Sequence, residues 1–208
     1  MMNSEELQNI IAEHQLWLES GGKVGRKANL HKADLKLFDL RGIDLAEANL
    51  AEADLQTVYI QSTNFQKTNM LKINLQKAHL VKANLQGANL QKAKLQRTDL
   101  REANLEGANL KEANLRRANL MKTNLQGANI EAANLQKADL YGANLQKANL
   151  IECDLRGANL GGANLDGTRI ENTKFEEAIL RNVIIDKNNV SNLPRKILEK
   201  YESTFLVV

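Results

Sequence analysis

Proline is almost absent: Pro194 is the only one in 208 residues, and aromatic side chains make up just 4%. A conventional core leans on large rings, and loop-rich folds spend prolines in their turns. This chain must build its core from aliphatic side chains and turn its corners another way. A single cysteine, Cys153, excludes an internal disulfide and a cysteine-clustered metal site. Neither sign of charge dominates, because 28 basic residues against 25 acidic leave a net +3. That balance is wrong for a dedicated polyelectrolyte. No apolar run approaches the roughly 18 residues that cross a bilayer. Residues 1–22 lack the basic-then-apolar order of a signal peptide. A cytoplasmic protein with no membrane contact is expected.

What is present is a repeat. From Ala28 the chain recurs every five residues, and every position divisible by five from Leu30 to Ile185 is apolar, giving 32 consecutive pentapeptides. Leu fills 25 of these centres; the others are Ile60, Phe65, Met70, Ile130, Ile170, Phe175 and Ile185. Two places earlier stands a small residue, Ala in 20 units, Thr in six and Cys153 in one. The residue just before the centre is Asn or Asp in 25 of the 32. A helix would carry such a stripe about 140° further around its axis at each repeat. A strand would flip it to the opposite face, because five is odd. A chain that turns a corner at each unit buries every centre. Four units close a square, and eight such coils stack at about 4.8 Å spacing. Leu35, Leu55, Leu75, Leu95, Leu115, Leu135 and Leu155 then form one inward column.

This A(D/N)LXX pattern resembles the pentapeptide-repeat protein family, which implies a right-handed quadrilateral β-helix. The resemblance covers residues 28–187 without a break in phase and places the leucines and the small residues inside. It weakens at both ends: Phe38 and Ile43 take small-residue sites in the first coil, and Thr173, Lys174, Ile179, Val183 and Ile184 depart in the last. Terminal repeats of a solenoid are commonly atypical. Family members that confer quinolone resistance mimic DNA and bind gyrase, so the resemblance raises that activity as an alternative. A duplex mimic needs an acidic rod. The balanced charge here and the lack of loop insertions argue against it.

The chain therefore divides into an N-terminal capping helix and linker (1–27), the all-β solenoid (28–187), and a C-terminal cap with a short helix and apolar tail (188–208). Residues 4–19 read as an amphipathic helix with Leu7, Ile11, Trp17 and Leu18 set to close the first coil. Asn3 and Glu6 suggest a capping box, and Gly21-Gly22 a stop. Pro194 predicts a short helix start. Phe205, Leu206, Val207 and Val208 either fold over the last coil or meet another subunit. The apolar excess at Ile179, Val183 and Ile184 favours a homodimer through this end.

No catalytic or metal constellation is visible. His14, His31 and His79 have no second ligand at motif spacing, and Cys153 occupies an inward site as a small hydrophobe. Without a phosphate loop or dinucleotide fingerprint, no cofactor is implied. Function must lie on the outer faces. The column from Asn29 to Asn149 reads as a structural ladder, since stacked Asn side chains bond at turns and to one another. The next face is basic, through Lys77, Lys94, Arg97, Arg116, Arg117, Lys137 and Arg156. It is a candidate surface for an anionic partner, although it carries no interleaved aromatics of the kind nucleic-acid binding uses. The sequence reads as a non-enzymatic, rigid scaffold whose partner is another protein.

Overall fold

A residue in the left-handed backbone region is what lets a five-residue unit turn. The computed structural model describes residues 2–208, the Glu202 side chain apart. The turn closes when the third residue after a centre donates its N–H to the centre's carbonyl, as Ala33 does to Leu30 at 3.1 Å and Ala78 to Leu75 at 3.0 Å. The residue before that donor has positive φ at 30 of the 31 corners from Lys32 to Asn182. Eight of these are glycine and 22 carry side chains, at φ between 54° and 62°. One left-handed residue in the third place is the type II pattern. Four such turns complete a coil.

Coils are joined by a continuous parallel ladder. The N–H of Leu115 donates to the Asn134 carbonyl at 2.7 Å, and that of Asn134 donates back to Ala113 at 3.0 Å. The residue before each centre bridges its counterpart 20 residues on, from Asn29–Asn49 to Asn164–Ile184. Among the described residues the series has one gap, at Asp39. The N–H groups of Leu37, Leu40, Gly42 and Tyr59, which the pattern would pair there, make no backbone bond. Phe38 accounts for this. Its ring stands where most units place Ala or Thr and is only partly buried, so the segment lifts away from the second coil. Leu37, the one corner without positive φ, is thrown out to 96% exposure.

The core is the expected one. Leu35, Leu55, Leu75, Leu95, Leu115, Leu135 and Leu155 are all buried, as are the other centres. Each buried leucine contributes about 1.5–3 kcal/mol. The inward threonines do more than fill space. Thr63, Thr68, Thr98 and Thr123 each donate their hydroxyl, at 2.7–2.9 Å, to the carbonyl 23 residues earlier. Cys153 makes the equivalent Sγ contact with Ile130 O at 2.8 Å. Burial pushes its thiol up to about 12, so it remains protonated.

Helix α1 (Ser4–Glu19) covers the first coil. Both halves of its capping box form, with Glu6 N–H donating to Asn3 Oδ1 at 2.8 Å and Asn3 N–H to Glu6 Oε2 at 3.0 Å. Leu7 is buried and Ile11 packs on the core, while Trp17 and Leu18 are half-buried. His14, which the sequence left without a role, is fully buried beneath the coil, and its Nδ1 accepts from the Ala28 N–H at 3.1 Å. Gly25 permits the chain to pass under α1, since a Cβ there would lie 2.2 Å from the Glu13 carbonyl oxygen.

At the other end β1 (Ile184–Ile185) leads into two short helices where the sequence suggested one, α2 (Lys187–Asn192) before Pro194 and α3 (Arg195–Tyr201) after it. Asp186 caps α2 through the Asn189 N–H at 3.0 Å. The apolar tail is used within the chain: Phe205 is buried, and β2 (Leu206–Val207) pairs in parallel with β1. This is the fold-back arrangement of the tail. Leu206, Val207 and Val208 remain exposed on its outer side.

Candidate interaction face

Because the chain bends at the two residues after each centre, the second of them opens the following face. This divides the basic residues differently from a sorting by centre. Lys77, Arg97, Arg117 and Lys137 form one straight column, a coil apart, at the corner where the second face ends and the third begins. Lys94 and Arg116 stand on the second face itself. Arg156 is held by Asp154, with Nε–Oδ1 at 2.8 Å and Nη2–Oδ2 at 2.6 Å. That chelation holds the Asp154 carboxyl well below the ordinary carboxylate range. Among the described residues, the other six basic candidates enter no ion pair.

The third face carries what the sequence reading missed. Of the large apolar side chains exposed on the coils, all four lie here: Leu37, Tyr59, Tyr141 and Ile179. Tyr59 stacks on His79 with ring centroids 4.4 Å apart and planes within 2°. The two are 20 residues apart, so the signal was available in the period of the coil. Tyr141 lies over Gly161, where a Cβ would stand 3.2 Å from its ring carbon Cδ2. Met121, half-buried, precedes it in the same column. Four carboxylates interrupt the face: Asp39 is paired with Arg41, Asp99 and Asp139 are engaged, and Glu177 at its far end is exposed. Asp99 is chelated by Arg101, Nε–Oδ1 2.8 Å and Nη2–Oδ2 2.7 Å, which lowers its pKa. Asp139 accepts from Asn159 Nδ2 at 3.0 Å and the Tyr141 N–H at 3.1 Å.

The Asn column of the first face has the structural role its chemistry suggests. Asn49 Nδ2 donates to Asn29 Oδ1 at 2.9 Å, and Asn69 Nδ2 to Asn49 Oδ1 at 3.1 Å. The same oxygens accept backbone N–H groups two residues on. Cross-coil pairs such as Lys92–Glu112 and Lys111–Glu131 occupy other surface charges and contribute at most about 1 kcal/mol each.

The described residues line several shallow, open clefts. A cleft of about 730 Å³ lies between α1 and the first coil, beside Leu7, Ile11, Phe38 and Ile43. A second, of about 480 Å³, opens where Phe38 lifts away from Val58 and Tyr59. Among the described residues no cluster of His, Cys, Asp or Glu is arranged to hold a metal, and no helix is long and apolar enough to cross a membrane.

Comparison with known proteins agrees with this architecture. The trypsin-treated form of QnrB1, a plasmid-mediated fluoroquinolone resistance protein, is similar in structure, with a TM-score of 0.53 and 17% identity over 76% of this chain and 77% of that one. At that identity the likeness shows the fold alone. A pentapeptide repeat protein from the Arabidopsis thaliana thylakoid lumen is 25% identical over 52% of this chain and 75% of its own, with a TM-score of 0.42. HetL, involved in heterocyst differentiation regulation in the cyanobacterium Nostoc, is 25% identical over 89% of this chain and 98% of its own, with a TM-score of 0.27. Comparison with curated proteins found no match. Pentapeptide repeats, in 8 copies, match in overlapping stretches that run from residue 39 to residue 182. The chain belongs to the pentapeptide-repeat family and folds as its quadrilateral β-helix.

Proposed function

We propose that this protein is a non-enzymatic, rigid scaffold that binds a protein partner through an outer face. The observation that carries the reading is the filled interior. Leu, Ala and the other inward side chains are buried in every coil, so among the described residues the solenoid itself encloses no cavity that could surround a substrate. Binding must use a flat exterior, and flat surfaces of this size suit proteins better than small molecules. A gyrase-directed mimic of DNA is disfavoured by the cations at Lys77, Arg97, Arg117 and Lys137, since a mimic needs an acidic rod.

The test is a set of four variants, each altering the outward side chains of one face and leaving the inward residues intact. Partners are captured from extract of the native cell with each. The scaffold reading expects one face variant to lose a partner that the other three retain, with all four melting alike. Partners retained equally by all four variants would overturn it.

A further inference from the structure

We infer that the third face receives an acidic amphipathic helix from the partner protein, laid along the solenoid axis. The inference rests on the scaffold reading and names its surface and partner chemistry. Three observations converge on one face. Along one edge runs the column Lys77, Arg97, Arg117 and Lys137, none of them in an ion pair among the described residues. Along the other edge stand Met121 and Tyr141, with Arg101 one coil before Met121 and held on Asp99, and the middle column carries Tyr59, stacked on His79, and Ile179. Elsewhere on the coils large apolar side chains are at most half-exposed, so their concentration here is not the scatter expected of a solvated surface. Tyr, Met and Arg are also the side chains enriched at protein interfaces.

Dimensions select the occupant. The outward residues at the two edges are four positions apart, and because both sit in turns the span is at most about 13 Å. That matches the roughly 10–12 Å diameter of one helix. From Tyr59 to Ile179 is six coil steps, about 29 Å, or about 20 helical residues. A β-strand could not be added here, because above the first two coils the backbone groups are already paired from coil to coil. Only side chains are on offer. A cationic edge beside an apolar edge is complementary to a helix with a row of carboxylates next to a row of apolar residues. Of the face's own carboxylates, Arg101 neutralises Asp99, Arg41 neutralises Asp39 and Asp139 is hydrogen-bonded in place, while the exposed Glu177 stands two coils beyond Lys137, at the end of the cationic column. A nucleic acid would use the cations but has no need of Met121 or Ile179. The apolar edge therefore favours the helix.

The experiment uses the full-length protein and three labelled probes in fluorescence anisotropy. One is a helical peptide of about 20 residues with adjacent rows of glutamate and leucine. The second is the same composition scrambled so that the rows are lost. The third is single-stranded DNA of equal charge. The patterned peptide is expected to bind in the micromolar range, at least about tenfold more tightly than the other two. The double variant Arg97→Glu, Arg117→Glu should weaken it about tenfold or more. Met121→Ala with Tyr141→Ala should weaken it at least about fivefold. Lys67→Glu with Lys147→Glu, on the diagonally opposite corner, should leave it unchanged. All these residues face outward, and melting curves check that each variant is folded. Equal binding of the scrambled peptide or the DNA, indifference to the Met121 and Tyr141 changes, or no binding of the patterned peptide would each overturn the inference. Loss of a captured native partner on altering some other face would leave the scaffold reading standing while this assignment fell.

Discussion

Two adjacent alanines should respond to glycine with opposite signs. Ala132 is an exposed corner residue at φ 57°, and Ala133 is the inward small residue of the next unit, 1% exposed. A residue with a Cβ costs about 1–2 kcal/mol in the left-handed region, and glycine removes that cost. Glycine also loosens the unfolded chain, which takes back about 0.4–1 kcal/mol. Ala132→Gly should therefore stabilise by about 0.5–1 kcal/mol. At Ala133 no left-handed strain is relieved, one buried methyl worth about 0.8 kcal/mol is lost, and the same unfolded-state entropy applies. Ala133→Gly should destabilise by about 1–2 kcal/mol. Urea or thermal melting followed by circular dichroism reads both, with about 2–4 °C expected per kcal/mol for a chain of this size. If Ala132→Gly lowered the midpoint as far as Ala133→Gly, the corner would not be left-handed and the turn argument would fail.

Other outcomes follow from the same packing. Leu115→Ala should cost about 3–5 kcal/mol, because coils above and below hold the cavity open; Glu112→Ala, outside, should stay within about 0.5 kcal/mol, and equal melting of the two would show the centres unburied. The amides of Leu37, Leu40, Gly42 and Tyr59 should exchange with deuterium much faster than those of Leu80 and His79, which are bonded from coil to coil; uniform protection would remove the gap at Phe38. Burial holds the His14 imidazole below its ordinary value, so above about pH 6.5 it is neutral folded or unfolded and adds no pH dependence. As pH falls below that, the unfolded chain takes the proton first and stability drops until the folded imidazole titrates. His14→Asn, which keeps an acceptor for the Ala28 N–H but cannot titrate, should show a shallower loss of stability as pH falls below about 6.5; parallel curves would refute the burial.

Sequence alone determined the architecture here, because one short period dictates both what is buried and how the chain turns. Thirty-two apolar centres five residues apart admit neither helix nor strand, so the square coil, the Leu–Ala core and the Asn ladder were legible before any coordinates. The cap at Asn3–Glu6 was legible too, since its bonds span three residues. Tertiary structure decided the rest, where the outcome turns on volume or on which corner a residue occupies. Phe38 is an ordinary apolar residue in the string; only its neighbours in the coil make it too large and open the gap beside it. His14 acquires its burial from a coil that begins 14 residues later. The basic column and the exposed aromatics look like separate scatter until the bend assigns Lys77, Arg97, Arg117 and Lys137 to the edge of the face that carries Tyr59 and Tyr141. A turn that moves one residue across a corner changes which surface it serves, and that is fixed by backbone dihedrals rather than by residue type.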